Sequence, residues 1–415
     1  MKVIIHRGGN EIGGNCIEVQ GQNSTILLDV GMPINTGLKQ QGDCDKVVYD
    51  YLRKDKEYSE VLISHAHSDH YGLLGLLPPS TAVYCSSATK DLLDINQIFA
   101  KQEELKFDFQ IFETYKPFIC GDFEILPFLQ DHSAFDSQGF IIKAEGKTLI
   151  YTGDFRSHGR KKGVHRRLLS LIGNSTVDLL LTEGTTLSRA SKPMKTEEAI
   201  EQELVKAMEA KAGLIYVCFS PLNIDRLVSI YKAARITKRT LVVDTYTAYL
   251  LEKLSQYAKI PNVKTFSNLK VFYPKKLSRK LKINRHEDIL ISFKKARIFM
   301  EDLQRTPSKY VMMIRPSMID EIVPLEDTLL IYSMWPGYLK QVDMKKMTEW
   351  CKVNAIEFKT IHTSGHVSSE FLVDFIAEIN AFSVKIIHTE GINRDSEEMK
   401  ELSKYLGQND EVIVI

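Results

Sequence analysis

The feature that most constrains how this chain folds is the run His65-Ala66-His67-Ser68-Asp69-His70, in which four of six side chains are of metal-binding types. The run directly follows the apolar segment Val61-Leu62-Ile63, which predicts a buried strand. In α/β proteins, ligands bind at the carboxyl ends of such strands. The first two histidines are two residues apart, so an extended backbone projects both rings to one side. Because imidazole and carboxylate together suit zinc or manganese, the run predicts a metal site; a surface loop that binds metal adventitiously is the alternative.

The composition is that of an ordinary globular protein. The 415 residues are 44% hydrophobic and 26% charged, which predicts two or three domain-sized units with ample material for a core. The net charge of +1 does not by itself indicate a nucleic-acid-binding protein. Two local clusters of basic residues could contact phosphates, and a solvated basic face explains each equally well. They comprise Arg156, Arg160, Lys161, Lys162, Arg166 and Arg167, and Lys275, Lys276, Arg279, Lys280, Lys282 and Arg285.

The sequence favours the cytoplasm as the location of the protein. No apolar run approaches the ~20 residues that span a bilayer. Residues 1–9 lack the apolar region of a signal peptide, so we expect a cytoplasmic protein without a membrane partner. The cysteines are scattered without a C-x-x-C pair, which favours buried thiols over disulfides or a zinc knuckle. They are Cys16, Cys44, Cys85, Cys120, Cys218 and Cys351.

The order of the predicted elements changes along the chain. The first ~150 residues contain mostly short strands with glycine-rich turns, which suggests sheets packed face to face with helices outside. From about residue 190, strand segments alternate regularly with helical ones, which predicts a parallel sheet with helices on its faces. Thr196 is expected to cap the first of these helices.

Four further ligand-type residues lie at or just beyond the ends of apolar strand segments. They are Asp29, His132, Asp154 and His388. Taken singly, an aspartate in such a place is usually a turn former, and a histidine is usually a satisfied polar residue. Taken together with the run at 65–70, they are predicted to be part of one metal site, and Gly153 lets the backbone approach that site closely.

These residues, in this order, resemble the metal motifs of the metallo-β-lactamase fold. Three later motifs are similar to those of its β-CASP branch, the nucleases that include ribonuclease J and the mRNA 3′-end-processing endonuclease. They are Leu181-Thr182-Glu183-Gly184-Thr185-Thr186, Thr363-Ser364-Gly365-His366-Val367-Ser368 and Ile387-His388-Thr389-Glu390-Gly391. The resemblance covers essentially the whole chain and implies an α/β fold with a four-layer αββα core. It implies core segments at residues 1–190 and 356–415, interrupted by an inserted β/α (β-CASP) domain at 191–355.

The resemblance also implies a set of ligands for two divalent ions. Zinc is the expected metal, with manganese as the alternative. The ligands would be His65, His67 and His132 for the first ion, Asp154 as the bridge, and Asp69, His70 and His388 for the second ion. Asp29 would lie behind these ligands and orient an imidazole rather than bind metal itself.

Phosphodiester cleavage is the chemistry that this arrangement implies. Two ions ~3.5–4 Å apart suit in-line displacement at phosphorus, with a hydroxide between them as the nucleophile. Asp69 would therefore count as a catalytic residue as well as a ligand. His366 would give a proton to the leaving 3′ oxygen as general acid, and Glu183 would position that ring.

Residues on either side of the general acid are expected to contact substrate phosphate. Ser364, Gly365 and Ser368 lead into a predicted helix, whose free N–H groups can bind an anion. Helix capping by Ser368 is the simpler explanation and is compatible with phosphate contact. Ser220 and Asn223 resemble a family segment that faces the substrate.

The sequence therefore predicts a metal-dependent hydrolase that cleaves RNA or single-stranded nucleic acid as an exonuclease, an endonuclease or both. A DNA-directed β-CASP nuclease is the first alternative. A small-molecule hydrolase of the same core fold would not need Glu183, His366 or the insertion. An inactive scaffold subunit is disfavoured because every ligand-type position is intact. A homo-oligomer or a protein partner stays open, and the end at Ile415 predicts that the extra carboxy-terminal assembly domain of ribonuclease J proteins is lacking.

Overall fold

The computed structural model describes residues 1–34, 60–100, 105–188, 193–391, 402 and 411–415. The chain forms two compact units, of which the first contains Met1–Leu93, Glu103–Pro193 and Gly365–Ile415, and the second contains Asp94–Gln102 and Met194–Ser364. Strand Glu357–Thr360, which the sequence interpretation placed in the returning segment at 356–415, instead pairs with Leu329–Tyr332 in the second unit. The second unit therefore ends later than residue 355, because this strand forms an edge of its sheet.

The elements of the described residues are numbered in chain order. Strands β1 to β20 are Lys2–Arg7, Cys16–Gln20, Thr25–Leu28, Glu60–Leu62, Ala82–Ser86, Asp108–Phe112, Phe118–Cys120, Phe123–Leu129, Gln138–Ala144, Lys147–Tyr151, Leu179–Glu183, Ile215–Cys218, Thr240–Asp244, Leu269–Phe272, Arg297–Ile298, Tyr310–Met313, Leu329–Tyr332, Glu357–Thr360, Ser383–Ile387 and Val412–Val414. Helices α1 to α11 are Ser68–Tyr71, Ser87–Ala100, Val164–Ile172, Glu197–Glu209, Ile224–Ile236, Thr245–Leu254, Lys275–Ile283, Glu287–Ser292, Met300–Arg305, Val342–Val353 and Ser369–Ile379. Turns of 3₁₀ helix occur at Leu74–Leu76, Lys294–Ala296, Pro307–Lys309, Pro316–Glu321 and Pro336–Lys340.

Two sheets packed face to face form the first unit. Within the described residues, the first sheet has the strand order β20-β1-β2-β3-β4-β5-β6 and the second has the order β19-β11-β10-β9-β8-β7. The apolar core between them takes side chains from both sheets, including Ile26 and Leu62 of the first and Phe123 and Tyr151 of the second. Helices α3 and α11 cover the other face of the second sheet. The predicted α/β fold with face-to-face sheets is confirmed.

Parallel strands bring the loops that carry the predicted ligands together. Strands β3 to β6 run parallel to one another in the first sheet. Strands β10, β11 and β19 run parallel in the second sheet. The carboxyl ends of parallel strands meet at one edge of a sheet, which is where functional residues collect in α/β proteins.

The second unit is built on a separate sheet. Its strand order is β15-β14-β13-β16-β12-β17-β18, and every pair of neighbours in the described residues is parallel. Helix α10 packs on this sheet through Met347, against Tyr216 and Met312 among others. Helix α4 begins after Thr196, whose side chain accepts a hydrogen bond from Ala199 N, as predicted. The parallel sheet that the alternating pattern predicted is confirmed.

The described cysteines agree with the sequence. Cys16, Cys85, Cys120, Cys218 and Cys351 are buried free thiols, and the sixth cysteine of the chain lies outside the described residues. In the described part of the chain, no helix has both the length and the apolar character needed to cross a bilayer.

Candidate metal centre

Ligand-type side chains lie at the carboxyl ends of strands from both sheets of the first unit. In the first sheet, Asp29 directly follows β3, and the run at 65–70 follows β4 and continues into α1. In the second sheet, the corresponding residues end or follow β8, β10, β11 and β19, and they are His132, Asp154, Glu183 and His388. Asp29 and His388 have φ angles of 58° and 53°. This left-handed conformation is uncommon for non-glycine residues and is often found at functional sites.

The first group of donors consists of the imidazole rings of His65, His67 and His132. His67 Nδ1 lies 3.1 Å from His65 Nε2 and 3.2 Å from His132 Nε2. A tetrahedral zinc ion bound at ~2.0–2.1 Å would hold its nitrogen ligands ~3.3 Å apart, so these distances fit a shared ion. Burial lowers the pKa of all three rings, for His67 to about 4. Each ring is therefore neutral near pH 7 and offers a lone pair to a cation.

The second group consists of Asp69, His70, Asp154 and His388, whose donor atoms all lie within 4.8 Å of one another. His70 Nε2 lies 3.3 Å from Asp154 Oδ2, and His388 Nε2 lies 3.3 Å from Asp69 Oδ2. Among the described residues, His70 Nε2 and both carboxylate oxygens of Asp154 are buried without a hydrogen-bond partner. Such atoms are rare in native proteins, and a divalent cation would satisfy all three. Asp154 Oδ2 is also 3.9 Å from His132 Nε2, so this carboxylate lies between the two groups.

Asp29 lies behind His70 and fixes the orientation of its ring. The carboxylate of Asp29 accepts hydrogen bonds from Ser64 N and Oγ, at 2.7 Å each, and from the Tyr151 hydroxyl at 2.6 Å. Its Oδ2 lies 2.7 Å from His70 Nδ1, which favours the tautomer protonated there and leaves Nε2 for the second group. Burial lowers the pKa of His70, but the carboxylates of Asp154 and Asp29 outweigh burial and leave it raised. A cation bound at Nε2 would take the place of the proton that the positively charged ring carries on that atom.

A histidine and a glutamate form a pair beside the second group. His366 Nδ1 lies 3.0 Å from Glu183 Oε2 and 3.6 Å from Asp154 Oδ2. Glu183 is itself held, because its Oε1 accepts from Phe155 N at 2.6 Å and its Oε2 accepts from Thr185 Oγ1 at 2.6 Å. Burial lowers the pKa of His366, but Glu183 outweighs burial and raises the pKa to about 9. The pair can therefore hold a proton at the edge of the metal centre.

Comparison with known proteins shows which proteins the chain resembles. Residues 35–214 match the beta-lactamase superfamily domain. The chain is 27% identical over 214 residues to the RNase J-like protein of Methanocaldococcus jannaschii, which covers 48% of this chain and 46% of that protein. It is 22% identical over 378 residues to endoribonuclease YSH1 of Candida glabrata, which covers 83% of this chain and 44% of that protein. These comparisons support a relationship to the β-CASP branch of the metallo-β-lactamase superfamily.

A solved structure shares the fold of this chain along its whole length. It is the crystal structure of a protein of unknown function from Enterococcus faecalis V583, with a TM-score of 0.78, 21% identity, and coverage of 100% of this chain and 99% of that one. The chain spans about half the length of the curated relatives it matches. The metallo-β-lactamase fold implies divalent metal ions, and the two donor groups supply imidazoles and carboxylates that suit them.

The residues expected to contact phosphate are divided between the two units of the chain. In the first unit, the carbonyl oxygen of Gly365 lies 2.8 Å from His132 Nδ1, so the loop before His366 directly supports a ring of the first group. Ser368 caps α11, because its side chain accepts from Phe371 N. The other three belong to the second unit, where one of them caps α5, and they are Ser220, Asn223 and Ser364.

Three hydroxyl-bearing residues of this site were missed by sequence reasoning. Ser64 Oγ lies 3.0 Å from His65 Nδ1, and Thr185 Oγ1 lies 2.8 Å from His388 Nδ1, so each supports a ring of a donor group. Their positions beside the motifs at 65–70 and 181–186 are a signal that could have identified them. No comparable signal marks Tyr151, because its contact with Asp29 joins positions 122 residues apart.

Proposed function

We propose that this chain is a phosphodiesterase that uses two divalent metal ions to cleave RNA. The observation that carries the proposal is the position of Asp154, whose Oδ2 lies between the two donor groups and 3.6 Å from the ring of His366. A thioesterase or lactonase of the same fold has no need for a histidine held by a glutamate beside its metals. Two relatives, an RNase J-like protein and an endoribonuclease, support RNA as the substrate.

The two donor groups would each hold one ion, with Asp154 shared between them. We propose zinc, because five of the seven donors are imidazoles; manganese, which tolerates more oxygen ligands, is the alternative. When bound, the ions would stabilise negative charge on the phosphoryl oxygens and supply an activated water near neutral pH. Asp69 takes part in catalysis only through this role as a ligand.

His366 is proposed as the general acid. Glu183 and Thr185 lie at its Nδ1, at 3.0 Å and 3.2 Å, so Nε2 is the atom that carries the proton to be donated. The leaving 3′ oxygen takes this proton as its bond to phosphorus breaks. The carboxylate of Glu183 raises the pKa of the ring and so favours its protonated form.

The substrate class can be tested with one set of reactions. Metal-loaded protein is incubated separately with 5′-labelled RNA, single-stranded DNA and a thioester, with and without a chelator. We expect RNA cleavage that the chelator abolishes and that zinc or manganese restores. Preferential DNA cleavage would favour a DNA-directed nuclease, thioester turnover alone would favour a small-molecule hydrolase, and no turnover would favour an inactive scaffold subunit. End-group analysis of the products would separate exonuclease from endonuclease cleavage.

The role of His366 is tested by the variants His366→Ala and Glu183→Gln. Both are expected to retain two metal ions per chain and to lose ~10²–10⁴-fold in turnover, which is the usual contribution of a general acid. His165→Ala is a matched control, because the side chains of His165 and His366 are both 23% exposed and each ring contacts one glutamate. Equal activity in the His366→Ala and His165→Ala variants would remove His366 from the mechanism.

Three further roles stay predictions within this proposal. The first is contact with substrate phosphate, which is expected of Ser364, Gly365, Ser368, Ser220 and Asn223. The cytoplasmic location and the association with another copy or with a protein partner also stay predictions.

A further inference from the structure

One segment of the second unit carries a charge imbalance that the whole-chain composition hides. Residues 270–309 contain twelve lysine and arginine residues and four acidic residues. The whole chain contains 54 basic and 53 acidic residues, so the rest of the chain is net negative. A basic segment in an otherwise acidic protein concentrates positive potential on one surface.

These basic residues lie together at one edge of the second sheet. Helix α7 packs against α8, and the 3₁₀ turn at Lys294–Ala296 packs against β14, next to the edge strand β15. We call the exposed cations on these elements the basic edge. It comprises Lys275, Lys276, Arg279, Lys282, Arg285, Lys294, Lys295 and Arg297.

Most cations of the basic edge have no carboxylate to neutralise them. Of the eight, Lys276 is paired, with Asp320 at 3.3 Å, and the others have no ion pair with any described residue. Helix α10 of the same unit differs, because Lys346 and Lys352 each lie within 4.0 Å of an acidic residue of the same helix. The basic edge is therefore an unusually uncompensated positive surface and not simply a solvated helix face.

Aromatic rings are interleaved with these charges. The guanidinium of Arg297 lies 4.6 Å from the ring centroid of Tyr273 and 4.4 Å from that of Phe299. Phe299 is 49% exposed, which is high for a phenylalanine in a folded protein. Cations next to exposed aromatic rings form the surfaces on which single-stranded nucleic acids bind, because the cations contact phosphates and the bases stack on the rings.

We propose that the basic edge binds single-stranded RNA and so contributes an RNA-docking surface in the second unit; this inference rests on the proposed function. An acidic protein partner would use the charges but would not need Phe299. A lipid surface would use the charges together with the exposed side chains of Ile283 and Ile291, so binding to anionic vesicles is measured beside binding to RNA.

The test compares two variants of the full-length, metal-loaded chain that each lose four positive charges from the second unit. The first carries Arg279→Gln, Lys282→Gln, Lys295→Gln and Arg297→Gln. The control carries Lys340→Gln, Lys345→Gln, Lys346→Gln and Lys352→Gln, which are also exposed positions. All proteins carry His366→Ala to limit cleavage, and gel analysis checks that the RNA stays intact. Fluorescence anisotropy measures binding of an unstructured RNA of about 20 nucleotides over a range of salt concentrations.

We expect the first variant to bind RNA at least tenfold more weakly at low salt. The slope of log K against log salt should fall by about 2 to 3, because each phosphate contact to a single strand contributes about 0.7. Phe299→Leu should weaken binding about fivefold or more with an unchanged salt slope, since it removes a stacking surface but no charge. Equal RNA binding by the first variant and the control would overturn the proposal, as would binding to anionic lipid vesicles or an acidic peptide but not to RNA.

Failure of this inference is distinguishable from failure of the proposed function. If the chain binds RNA through the basic edge but cleaves no RNA, the docking surface is supported and the proposed enzyme activity is contradicted. If the otherwise native chain cleaves RNA and the charge variant has the same KM as its control, the proposed activity is supported and the docking surface is contradicted.

Discussion

At the scale of the residue, Asp29 is the clearest case of a side chain that acts through another. Its carboxylate accepts from Ser64 and Tyr151 and contacts His70 Nδ1, all within 2.7 Å. Asp29→Asn replaces one acceptor oxygen with a donor that faces these donors. We expect the affinity for the second metal ion to fall ~10–100-fold, as for other carboxylates behind a ligand histidine. Metal content after dialysis against graded chelator concentrations measures the change.

Asp178→Asn provides the matched control for this residue. Asp178 also accepts from a backbone N–H and a side chain, Thr148 N and Lys147 Nζ, at 2.9 Å each. It precedes β11, at the opposite end from Glu183, so its loss should leave metal binding unchanged. Equal metal affinity in the two variants would contradict the role assigned to Asp29.

Sequence reasoning finds metal-site residues well when they occur in compact or strand-terminal patterns. The run at 65–70 combines four ligand types within six residues, and the structure brings its members together with His132, Asp154 and His388. Grouping the donors around two ions required the family resemblance, because spacing alone does not pair residues that are hundreds of positions apart. Tyr151 and Thr185 escaped notice because hydroxyl-bearing residues are common and gain meaning only from their contacts in the folded chain.

At the scale of the element, the turn after β3 and helix α1 are locked together through backbone. Asn15 N donates to the carbonyl oxygen of Asp69, and Gly31 N donates to that of Asn15. A Cβ atom added at Gly31 would lie 1.7 Å from the Asp69 oxygen. Gly31→Ala should therefore displace the backbone of Asp69 and lower the free energy of unfolding by about 1–3 kcal/mol or more. Thermal melting and metal content together measure the effect, and we expect loss of the second ion.

Substitution of a second glycine, Gly146, tests the effect of backbone strain in the absence of crowding. Gly146 has a φ of +72° and nothing within 4 Å of an added Cβ atom. Gly146→Ala should therefore lower the free energy of unfolding by about 1 kcal/mol through backbone strain and leave both ions in place. Metal loss in both variants would point to general destabilisation instead of displacement of Asp69.

The elements that sequence reasoning resolved are those with a strong periodic pattern. Strands such as β12 and β16 are almost entirely apolar, and the parallel sheet of the second unit followed from their alternation with helices. The segment between β13 and β16 has a weaker pattern in the sequence. There β14 has a lysine among its four residues, and β15 is a two-residue edge strand, so neither has enough alternation to stand out.

At the scale of the whole molecule, the element pattern of the sequence changes near residue 190, close to where the second unit resumes at Met194. It could not indicate that residues 94–102 belong to that unit. The reason is a long-range contact, in which the hydroxyl of Tyr246 donates to Asn96 Oδ1 across 150 positions. Such a contact leaves no local trace in composition or periodicity.

Because the two units have separate cores, we expect two thermal transitions. The first should depend on bound metal, and the second should depend on a buried ion pair. The donor groups belong to the first unit, so a chelator should lower the transition temperature of that unit only. A metal ion at a free concentration of 1,000 times its Kd stabilises the folded state by about 4 kcal/mol. In the second unit, Arg226 and Glu197 form a fully buried ion pair at 3.0 Å, and Arg226 also donates to Ser333. Arg226→Met leaves the carboxylate of Glu197 buried without its cation, which should destabilise that unit by about 3–5 kcal/mol.

Differential scanning calorimetry resolves the two effects. Arg226→Met should lower the second-unit transition and leave the metal-dependent one in place. Adding Glu197→Leu should recover part of the loss, because the double variant no longer buries an unpaired charge. A single transition that shifts equally with chelator and with Arg226→Met would mean that the units unfold together. In that case the ions of the first unit would also stabilise the basic edge of the second, and loss of metal would weaken RNA binding as well as cleavage.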